Sequence, residues 1–405
     1  MSQRRIAVTG VGVICAMGLN AAEMWESLRT GRSAIDRLTD PEFDHLRFHN
    51  GAAVHKYIPE EHFTPTSVDH MDRFAQFAVV AAREAVRDAG IEWTDALRQR
   101  SSIITGTGTG GQSTEDKGFA DVYLRGRDRV HPLTIPRSMS NAGASHISME
   151  FGITGPAFTV STACSSSNHA IAMALQLLRS GAADMAITGG SEAPLSFGIL
   201  KAWEAMRVVA PDTCRPFCKD RRGLILGEGA GMLVLEPLDI ARARGAKIYA
   251  ELAGAGMSAD AKHITQPTVE GPVRAMRDAL TDAGLKPEQV GYINAHGTGT
   301  PGNDPAETKA IREAFGAAAE KLAVSSTKSM HGHALGAAGA IEAVATLLGM
   351  REGILPPTAN FTEPDPECDL DYIPNVAREA HIEAAISNSF AFGGLNAVLA
   401  FRALA

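Results

Sequence analysis

Cysteine is scarce in this chain, and the few cysteines present are widely scattered. The 405 residues include only 5, at positions 15, 164, 214, 218 and 368. An odd, dispersed set does not suit a disulfide framework, so a reducing, cytoplasmic location is expected. Cys214 and Cys218 have a suggestive spacing, but no second Cys or His pair nearby completes a tetrahedral site, and no metal is expected there.

Long apolar runs and an excess of basic residues are also missing. No run approaches the roughly 20 apolar residues that cross a membrane. Acidic residues outnumber basic ones by 46 to 38, and the net charge of −8 argues against a nucleic-acid binder, which usually has a basic face. The apolar start at 6–16 contains glycines in a strand-like alternation, which predicts a first β-strand and not a signal sequence.

The chain contains an internal repeat with a spacing of about 190 residues, which indicates two similar halves rather than a solenoid. The segment 81–91 aligns without gaps on 275–285, and each reads as an amphipathic helix closed by a glycine. An apolar strand and the tetrapeptide Gly-Thr-Gly-Thr follow each copy, at 106–109 and 297–300. We therefore predict an α/β protein of two duplicated halves, 1–250 and 251–405, that share a buried central layer.

One cysteine lies in a position that favours reactivity. Cys164 follows the predicted strand 157–160 and precedes the predicted helix 170–179. Unpaired amides at a helix N-terminus favour an anion, so the thiol is expected to ionise readily and act as a nucleophile.

Two histidines lie in glycine-rich turns of the second half, where side chains tend to face a cavity. They are His296, in Asn-Ala-His-Gly-Thr-Gly-Thr, and His333, in Met-His-Gly-His. One cysteine and two histidines on three separate loops suggest thioester chemistry at the interface between the halves.

Together these motifs resemble those of the β-ketoacyl-acyl-carrier-protein synthases, the decarboxylating and elongating condensing enzymes of the thiolase fold. The order is Cys, His-Gly-Thr-x-Thr, Ser-Thr-Lys-Ser and Gly-His-x-Leu-Gly-Ala-Ala-Gly, and the resemblance runs from the first strand through 71–74 to 388–396. It implies a five-layered αβαβα sandwich. It also implies substrates carried on the 4′-phosphopantetheine arm of an acyl carrier protein, with no tightly bound cofactor.

The resemblance assigns a role to each catalytic candidate. Cys164 would accept the acyl chain, and His296 and His333 would bind the malonyl thioester and promote loss of carbon dioxide. Lys328 and Glu342 would orient the histidines and tune their pKa.

Further residues of the family's site also have counterparts here. The amides of Cys164 and Phe392 would form an oxyanion hole, Gly393 would allow the turn, and Phe392 would gate the acyl pocket. The counterparts of residues that contact the arm or the acyl chain are Thr298, Thr300, Thr109, Thr134 and Phe390.

Several pocket residues depart from the family's usual pattern. Thr109 and Thr134 replace bulky apolar residues of the acyl tunnel, while His331 and Leu395 stand where threonine is usual. We hypothesise a polyunsaturated acyl substrate, as in the nodulation-type or polyene ketosynthases. The alternative is that these pocket residues have drifted without consequence.

The resemblance also implies partners. An acidic carrier protein needs a basic docking patch, for which the candidates are Arg125, Arg127, Arg129 and Arg207. A homodimer is the default, and a heterodimer with a chain-length-factor-like subunit is the alternative. Some relatives have a structural monovalent-cation site, which Asn294, Glu342, Ser387 and Asn388 resemble, but no metal is expected in this chain.

Two other functions compete with this interpretation. A coenzyme A-dependent thiolase needs a second cysteine near the C-terminus, and the last cysteine here, Cys368, falls well before the matching loop at 388–394. An inactive, chain-length-determining subunit would lack the nucleophile, whereas this chain retains Cys164.

Overall fold

The largest feature of the fold is a mixed sheet of ten strands, seen in a computed structural model that describes residues 4–404. The strands are β1 (Ile6–Cys15), β2 (Asp36–Arg37), β3 (Asn50–Gly51), β4 (Ser101–Gly106), β5 (Ala157–Val160), β6 (Met185–Glu192), β7 (Gly229–Pro237), β8 (Ala250–Ala259), β9 (Val290–Asn294), β10 (Ala323–Ser325), β11 (Ile354–Leu355), β12 (Arg378–Glu379), β13 (Ala384–Ala391) and β14 (Leu395–Arg402). The helices are α1 (Ala21–Arg29), α2 (Pro65–His70), α3 (Arg73–Ala89), α4 (Asp95–Arg100), α5 (Gln112–Tyr123), α6 (Thr134–Ser138), α7 (Ala142–Phe151), α8 (Ser166–Arg179), α9 (Phe197–Met206), α10 (Leu238–Ala243), α11 (Glu270–Ala283), α12 (Asn303–Phe315), α13 (Lys328–His331) and α14 (Ala338–Glu352).

The strand order shows the duplication. It runs β10-β9-β13-β14-β8-β1-β7-β6-β4-β5. Each half contributes five of these strands, which can be numbered one to five in chain order. In both halves, the order from the centre of the sheet outward is then one, five, four, two, three. Within the described residues 4–404, the two sets meet through two residue pairs, Ala7 with Glu251 and Val8 with Ala250. The sheet is therefore two five-stranded units of the same topology joined edge to edge.

Helices α8 and α14 lie between the two units and contact strands of both. Every residue of α14 from Ala338 to Met350 is buried, so only its last two residues reach solvent. On the outer faces, α3 covers β1, β7 and β6, and α11 covers β8 and β14. The predicted five-layered αβαβα arrangement is confirmed.

Glycines on the first strand of each unit let the outer helix approach closely. A Cβ atom at Gly12 would lie 2.0 Å from the carbonyl oxygen of Ala81 in α3. A Cβ atom at Gly256 would lie 2.0 Å from the carbonyl oxygen of Ala275 in α11. The same device therefore fixes the outer helix in both halves.

The two repeated helices end in the same way. Gly90 follows α3 and Gly284 follows α11, each with φ of 61°, a left-handed conformation that glycine adopts without a steric penalty. Within residues 4–404, none of the helices has the length and apolar content that a membrane crossing requires.

Candidate active site

Cys164 lies in a tight turn between β5 and α8. Ala163 has a φ of 50°, which is unusual for a residue with a side chain. Two hydrogen bonds of the Ser166 hydroxyl close the turn. The hydroxyl accepts one from the amide of Thr162 at 2.9 Å and donates the other to the carbonyl of Ala163 at 2.7 Å. Cys164 is buried as a result, with 7% of its surface exposed.

The structure brings the predicted cysteine and both predicted histidines together. A ring nitrogen of His296, a ring nitrogen of His333 and Sγ of Cys164 all lie within 4.8 Å of one another. The two imidazole rings meet edge to face, with centroids 5.4 Å apart. Such a group can act on one bound thioester from two sides.

Both histidines are neutral in this environment. Burial lowers the pKa of each well below its usual value, and the positive charge of Lys328 lowers it further. Nζ of Lys328 donates to the His296 carbonyl at 2.6 Å and lies 3.5 Å from its Nδ1. Because an ammonium group can only donate, we assign the proton of His296 to Nε2.

Lys328 forms an ion pair with Glu342 in the interior. Both side chains are fully buried, and Nζ of Lys328 donates to Oε1 of Glu342. Burial raises the pKa of Glu342, while the charge of Lys328 acts in the opposite direction. The predicted supporting charges therefore lie directly behind His296.

The protonation state of Cys164 differs from the sequence prediction. Burial raises the pKa of the thiol to about 11, although Lys328 and the backbone amides of Phe392 and Cys164 lower it in part. The prediction that the thiol ionises readily from its place at the helix start is therefore wrong, because loss of water outweighs the local donors. The resting nucleophile is a thiol.

Phe392 closes one side of the site. Its amide and that of Cys164 hydrogen-bond to the sulfur, so both donors lie next to the position of a bound thioester, and their role as an oxyanion hole stays a prediction. Gly393 has a φ of 84°, and its amide donates to the carbonyl of Ile264 at 2.7 Å. The Phe392 ring stacks on Trp203, with centroids 6.1 Å apart and planes inclined by 22°. Sequence reasoning missed Trp203, which carries no motif on α9.

A cavity of about 200 Å³ leads to the cysteine. The predicted residues that line it are Cys164, His296, His333, Thr298, Thr300, Phe390 and Phe392. The hydroxyls of Thr298 and Thr300 are 2.9 Å apart on its wall, and the ring centroid of Phe390 lies 6.0 Å from that of His296.

Two of the predicted pocket residues lie elsewhere. The amide and hydroxyl of Thr109 donate to Glu192, at 3.0 and 2.6 Å. Thr134 donates to the carbonyl of His131 at 2.7 Å and lines a separate cavity of about 600 Å³. Within one chain, neither residue joins the cavity that contains Cys164.

Glu307 is another residue that sequence reasoning missed. It accepts the amides of His296 at 2.8 Å and Gly297 at 2.7 Å, and so fixes the turn that carries the histidine. It lies on α12, after that turn. An acidic residue on a helix is too common to serve as a sequence signal.

The candidate docking arginines are all exposed. Arg125 and Arg127 both donate to Asp121, at 2.6 and 2.9 Å, so one carboxylate serves two cations. Arg129 lies beside the neighbouring Asp128. Arg207 follows α9, the helix that carries Trp203, and adopts a left-handed conformation.

Several buried oxygens in the described part of the second half lack a hydrogen-bond partner. Oε2 of Glu342, Oγ of Ser387 and Oδ1 of Asn388 are buried without a hydrogen-bond partner among the described residues. Ser387 is the register partner of Asn294, whose amide group donates to the Glu342 carbonyl at 3.3 Å. Oxygen donors of this kind fit a hard monovalent cation.

A thiolase-like fold with a buried Cys-His-His group between duplicated halves defines a condensing enzyme. Residues 3–241 match the family described as Beta-ketoacyl synthase, N-terminal domain, and residues 249–362 match Beta-ketoacyl synthase, C-terminal domain. The chain belongs to the β-ketoacyl synthase family.

Individual relatives refine this assignment. The chain is 50% identical to Nodulation protein E from Rhizobium sp. over 98% of this chain and 99% of that protein. It is 41% identical to 3-oxoacyl-[acyl-carrier-protein] synthase 2 from Staphylococcus aureus over 99% of both. It is therefore a β-ketoacyl-acyl-carrier-protein synthase, an acyl-transferring enzyme of fatty acid or polyketide-type synthesis.

Solved structures agree with the family. The ishigamide ketosynthase/chain length factor superposes with a TM-score of 0.95 at 38% identity, covering 100% of both chains. The ketosynthase ApeO, in complex with its chain length factor ApeC from Xenorhabdus doucetiae, superposes with a TM-score of 0.85 at 30% identity, covering 99% of this chain and 98% of that one.

Proposed function

We propose that the enzyme condenses a polyunsaturated acyl chain, held on Cys164, with malonyl-acyl-carrier protein to give a 3-oxoacyl-acyl-carrier protein. The observation that carries the proposed mechanism is the group formed by Cys164, His296 and His333, whose reactive atoms lie within 4.8 Å of one another. The reaction has three steps.

In the first step, the thiol of Cys164 attacks the acyl thioester of the carrier. The sulfur must lose its proton during attack, because the resting thiol is protonated, and a neutral histidine can accept it. The proton then passes to the departing pantetheine sulfur. The acyl group is left on Cys164.

In the second step, malonyl-carrier protein loses carbon dioxide. The carbon–carbon bond to the carboxylate breaks, and its electron pair forms an enolate whose oxygen carries the charge. Nε2–H of His296, together with the neutral ring of His333, can stabilise that oxygen.

In the third step, the enolate carbon attacks the acyl thioester on Cys164. Negative charge develops on the thioester oxygen, toward the amides of Cys164 and Phe392. The carbon–sulfur bond then breaks, and Cys164 leaves as a thiolate and takes up one proton from solvent water. A monovalent cation held by Asn294, Glu342, Ser387 and Asn388 would supply charge compensation beneath the site.

The proposed substrate class rests on the aromatic wall and on the relatives. A conjugated chain is planar, and Trp203, Phe390 and Phe392 line the cavity with aromatic rings that can contact such a chain. Identity to Nodulation protein E, at 50%, exceeds that to the S. aureus synthase, at 41%. The aromatic wall suits such a chain, and the sequence is more similar to Nodulation protein E than to the S. aureus synthase.

Intact-mass spectrometry tests the proposal. The enzyme is incubated with saturated or polyunsaturated acyl-carrier thioesters of equal length, and Cys164→Ala serves as the control. We expect a mass gain on the wild type alone, fastest with the polyunsaturated donor. Equal rates with both donors would overturn the substrate class, and equal labelling of the variant would overturn the role of Cys164.

We further propose that the carrier docks near Arg125, Arg127, Arg129 and Arg207. Their support is exposure, although carboxylates lie beside three of them: Asp121 binds Arg125 and Arg127, Glu42 lies 3.6 Å from Arg125, and Asp128 lies 3.5 Å from Arg129. Replacing both Arg125 and Arg127 by Glu should raise KM for the carrier roughly threefold or more while leaving kcat unchanged. Lys286→Glu with Lys309→Glu is the matched control, and an unchanged KM in the arginine variant would exclude these two residues.

A second subunit is also part of the proposal. Strand β5 lies at one edge of the sheet. Helix α7 packs against β5, α6 packs against α7, and α5 packs against α6. Large apolar side chains exposed along this edge are Phe119, Tyr123, Leu124, Ile135, Met149 and Phe158. Such a face favours a homodimer, with a chain-length-factor-like partner as the alternative. Native mass spectrometry of the purified chain distinguishes these, and a stable, active monomer would contradict both.

The remaining parts of the proposal are a cytoplasmic location and the lack of a tightly bound cofactor. All five cysteines are free and buried, which suits a reducing compartment. Absorbance spectra and mass spectrometry under native conditions would reveal a retained organic cofactor.

A further inference from the structure

Glu192 is a buried carboxylate that the three proposed steps do not use. It ends β6 and is completely shielded from solvent. It accepts five hydrogen bonds, from the hydroxyls of Thr107 and Thr109 and the amides of Gly108, Thr109 and Gly336, at distances between 2.6 and 3.0 Å. Among the described residues, no lysine or arginine forms an ion pair with it.

The donors come from both halves of the chain. Residues 107–109 follow β4 in the first half, and Gly336 lies three residues beyond His333 in the second. The carbonyl of Gly336 also accepts the hydroxyl of Ser167 in α8, so contacts hold both the amide and the carbonyl of this glycine. Glu192 therefore joins the loop after β4 to the segment that follows His333.

Two residues beside these contacts have a costly backbone conformation. Ala163, which precedes Cys164, has a φ of 50°, and Leu335, which precedes Gly336, has a φ of 43°. Residues with side chains persist in this region only where their surroundings hold them there. The hydrogen bond from the Gly336 amide to Glu192 fixes the backbone directly after Leu335, and so stabilises this conformation.

We infer that Glu192 is a positioning residue, which keeps the segment after His333 in register with the Cys164 turn. This inference rests on the proposed roles of Cys164 and His333. Charged and titratable groups that influence Cys164 are Lys328 and Glu192, with His296 and His333 in reach of its sulfur. Loss of the carboxylate charge should therefore also make the thiol easier to ionise.

Glu192→Gln tests this role, because it keeps the size of the side chain while removing the charge and one acceptor. Glu236→Gln is the matched control, since Glu236 is a buried carboxylate near the far end of β7, bound to Arg244. We expect Glu192→Gln to lower the condensation rate about tenfold or more. In this variant, the pH at which the rate of Cys164 alkylation by iodoacetamide is half-maximal, the iodoacetamide midpoint, should also be lower than in the wild type. The control should change neither.

A second variant separates position from charge. Ser167→Ala removes the hydroxyl that holds the Gly336 carbonyl and leaves Glu192 intact, so it should slow condensation without moving the iodoacetamide midpoint. If Glu192→Gln fails to fold, Ser167→Ala still tests whether the position of Gly336 affects the condensation rate. A folded Glu192→Gln protein with condensation within about twofold of wild type and an unchanged midpoint would overturn the inference. Alkylation needs no carrier substrate, so this result differs from a failure of the proposed substrate class.

Discussion

The thiol of Cys164 shows how burial sets reactivity at the level of one residue. Its raised pKa, about 11, means that the thiolate fraction is small at neutral pH and increases as the pH rises. We predict that iodoacetamide modifies Cys164 slowly at pH 7 and progressively faster as the pH approaches the thiol pKa. Mass spectrometry of the modified peptide measures this rate, and Cys164→Ala gives the background. A rate that already levels off near neutral pH would show a resting thiolate.

The Lys328–Glu342 pair gives a second prediction at this scale. Lys328→Met leaves the Glu342 carboxylate buried without its partner, which typically costs about 3–5 kcal/mol. We expect a loss of that size in the free energy of unfolding, measured by urea denaturation. Adding Glu342→Gln should recover part of the stability but not the condensation activity. Full recovery of activity by the double variant would contradict a role for Lys328 in orienting His296.

Single residues also show how far a sequence predicts a site. Cys164, His296 and His333 could be predicted because each lies in a local pattern of turn and strand residues. Trp203 and Glu192 could not, because their contacts come from segments distant in the chain. The ionisation of Cys164 was predicted in the wrong direction for a related reason, since burial depends on the second half packing over the first.

At the scale of elements, the close approach of strand and helix gives a third prediction. Gly256→Ala places a methyl group 2.0 Å from a backbone oxygen of α11, which forces the helix away from β8. We expect a loss of about 3 kcal/mol in the free energy of unfolding, at the upper end of overpacking costs.

Gly118→Ala is the control for that prediction. Its added Cβ would lie 3.6 Å from Cγ1 of Val130, an ordinary contact, within helix α5. The variant should gain about 0.5–1 kcal/mol, because alanine favours a helix more than glycine does. Equal effects from the two variants would contradict the close-approach explanation.

The boundaries of an element could be predicted where a local pattern of apolar residues marks them. Strand β5 has the predicted bounds, Ala157–Val160. Helix α8, however, begins at Ser166 and not at the predicted residue 170. Residues 166–168 are polar yet buried, and no apolar periodicity marks them as helical. The side chain of Asn168, for example, donates to the Ser387 and Ala397 carbonyls in the other half.

At the scale of the whole molecule, the two halves depend on each other. Helices α8 and α14 contact both five-stranded units, so either half alone exposes apolar surface that is buried in the intact chain. We propose residues 1–250 and 251–405 as units of duplication and not as independent domains. Fragments 1–245 and 246–405, divided in the exposed loop before β8, should be insoluble when expressed separately. Co-expression should restore activity, and a soluble, cooperatively unfolding single fragment would contradict this view.

The repeat predicted two equivalent units, but the edge-to-edge pairing of β1 with β8 was not predicted. That junction consists of two residue pairs, Ala7 with Glu251 and Val8 with Ala250. No motif marks such short pairing, because it depends on how the two complete units meet.

Helices α8 and α14 are equivalent, because each comes after the third sheet strand of its half, and this has a consequence for how the enzyme can change over time. Cys164 precedes α8, and His333 lies shortly before α14, so corresponding places in the two copies carry different chemical groups. Each chain therefore has a single reaction centre assembled from two related halves, rather than one centre in each half. The two copies are therefore no longer interchangeable, and a mutation in either half acts on the one centre that both halves build.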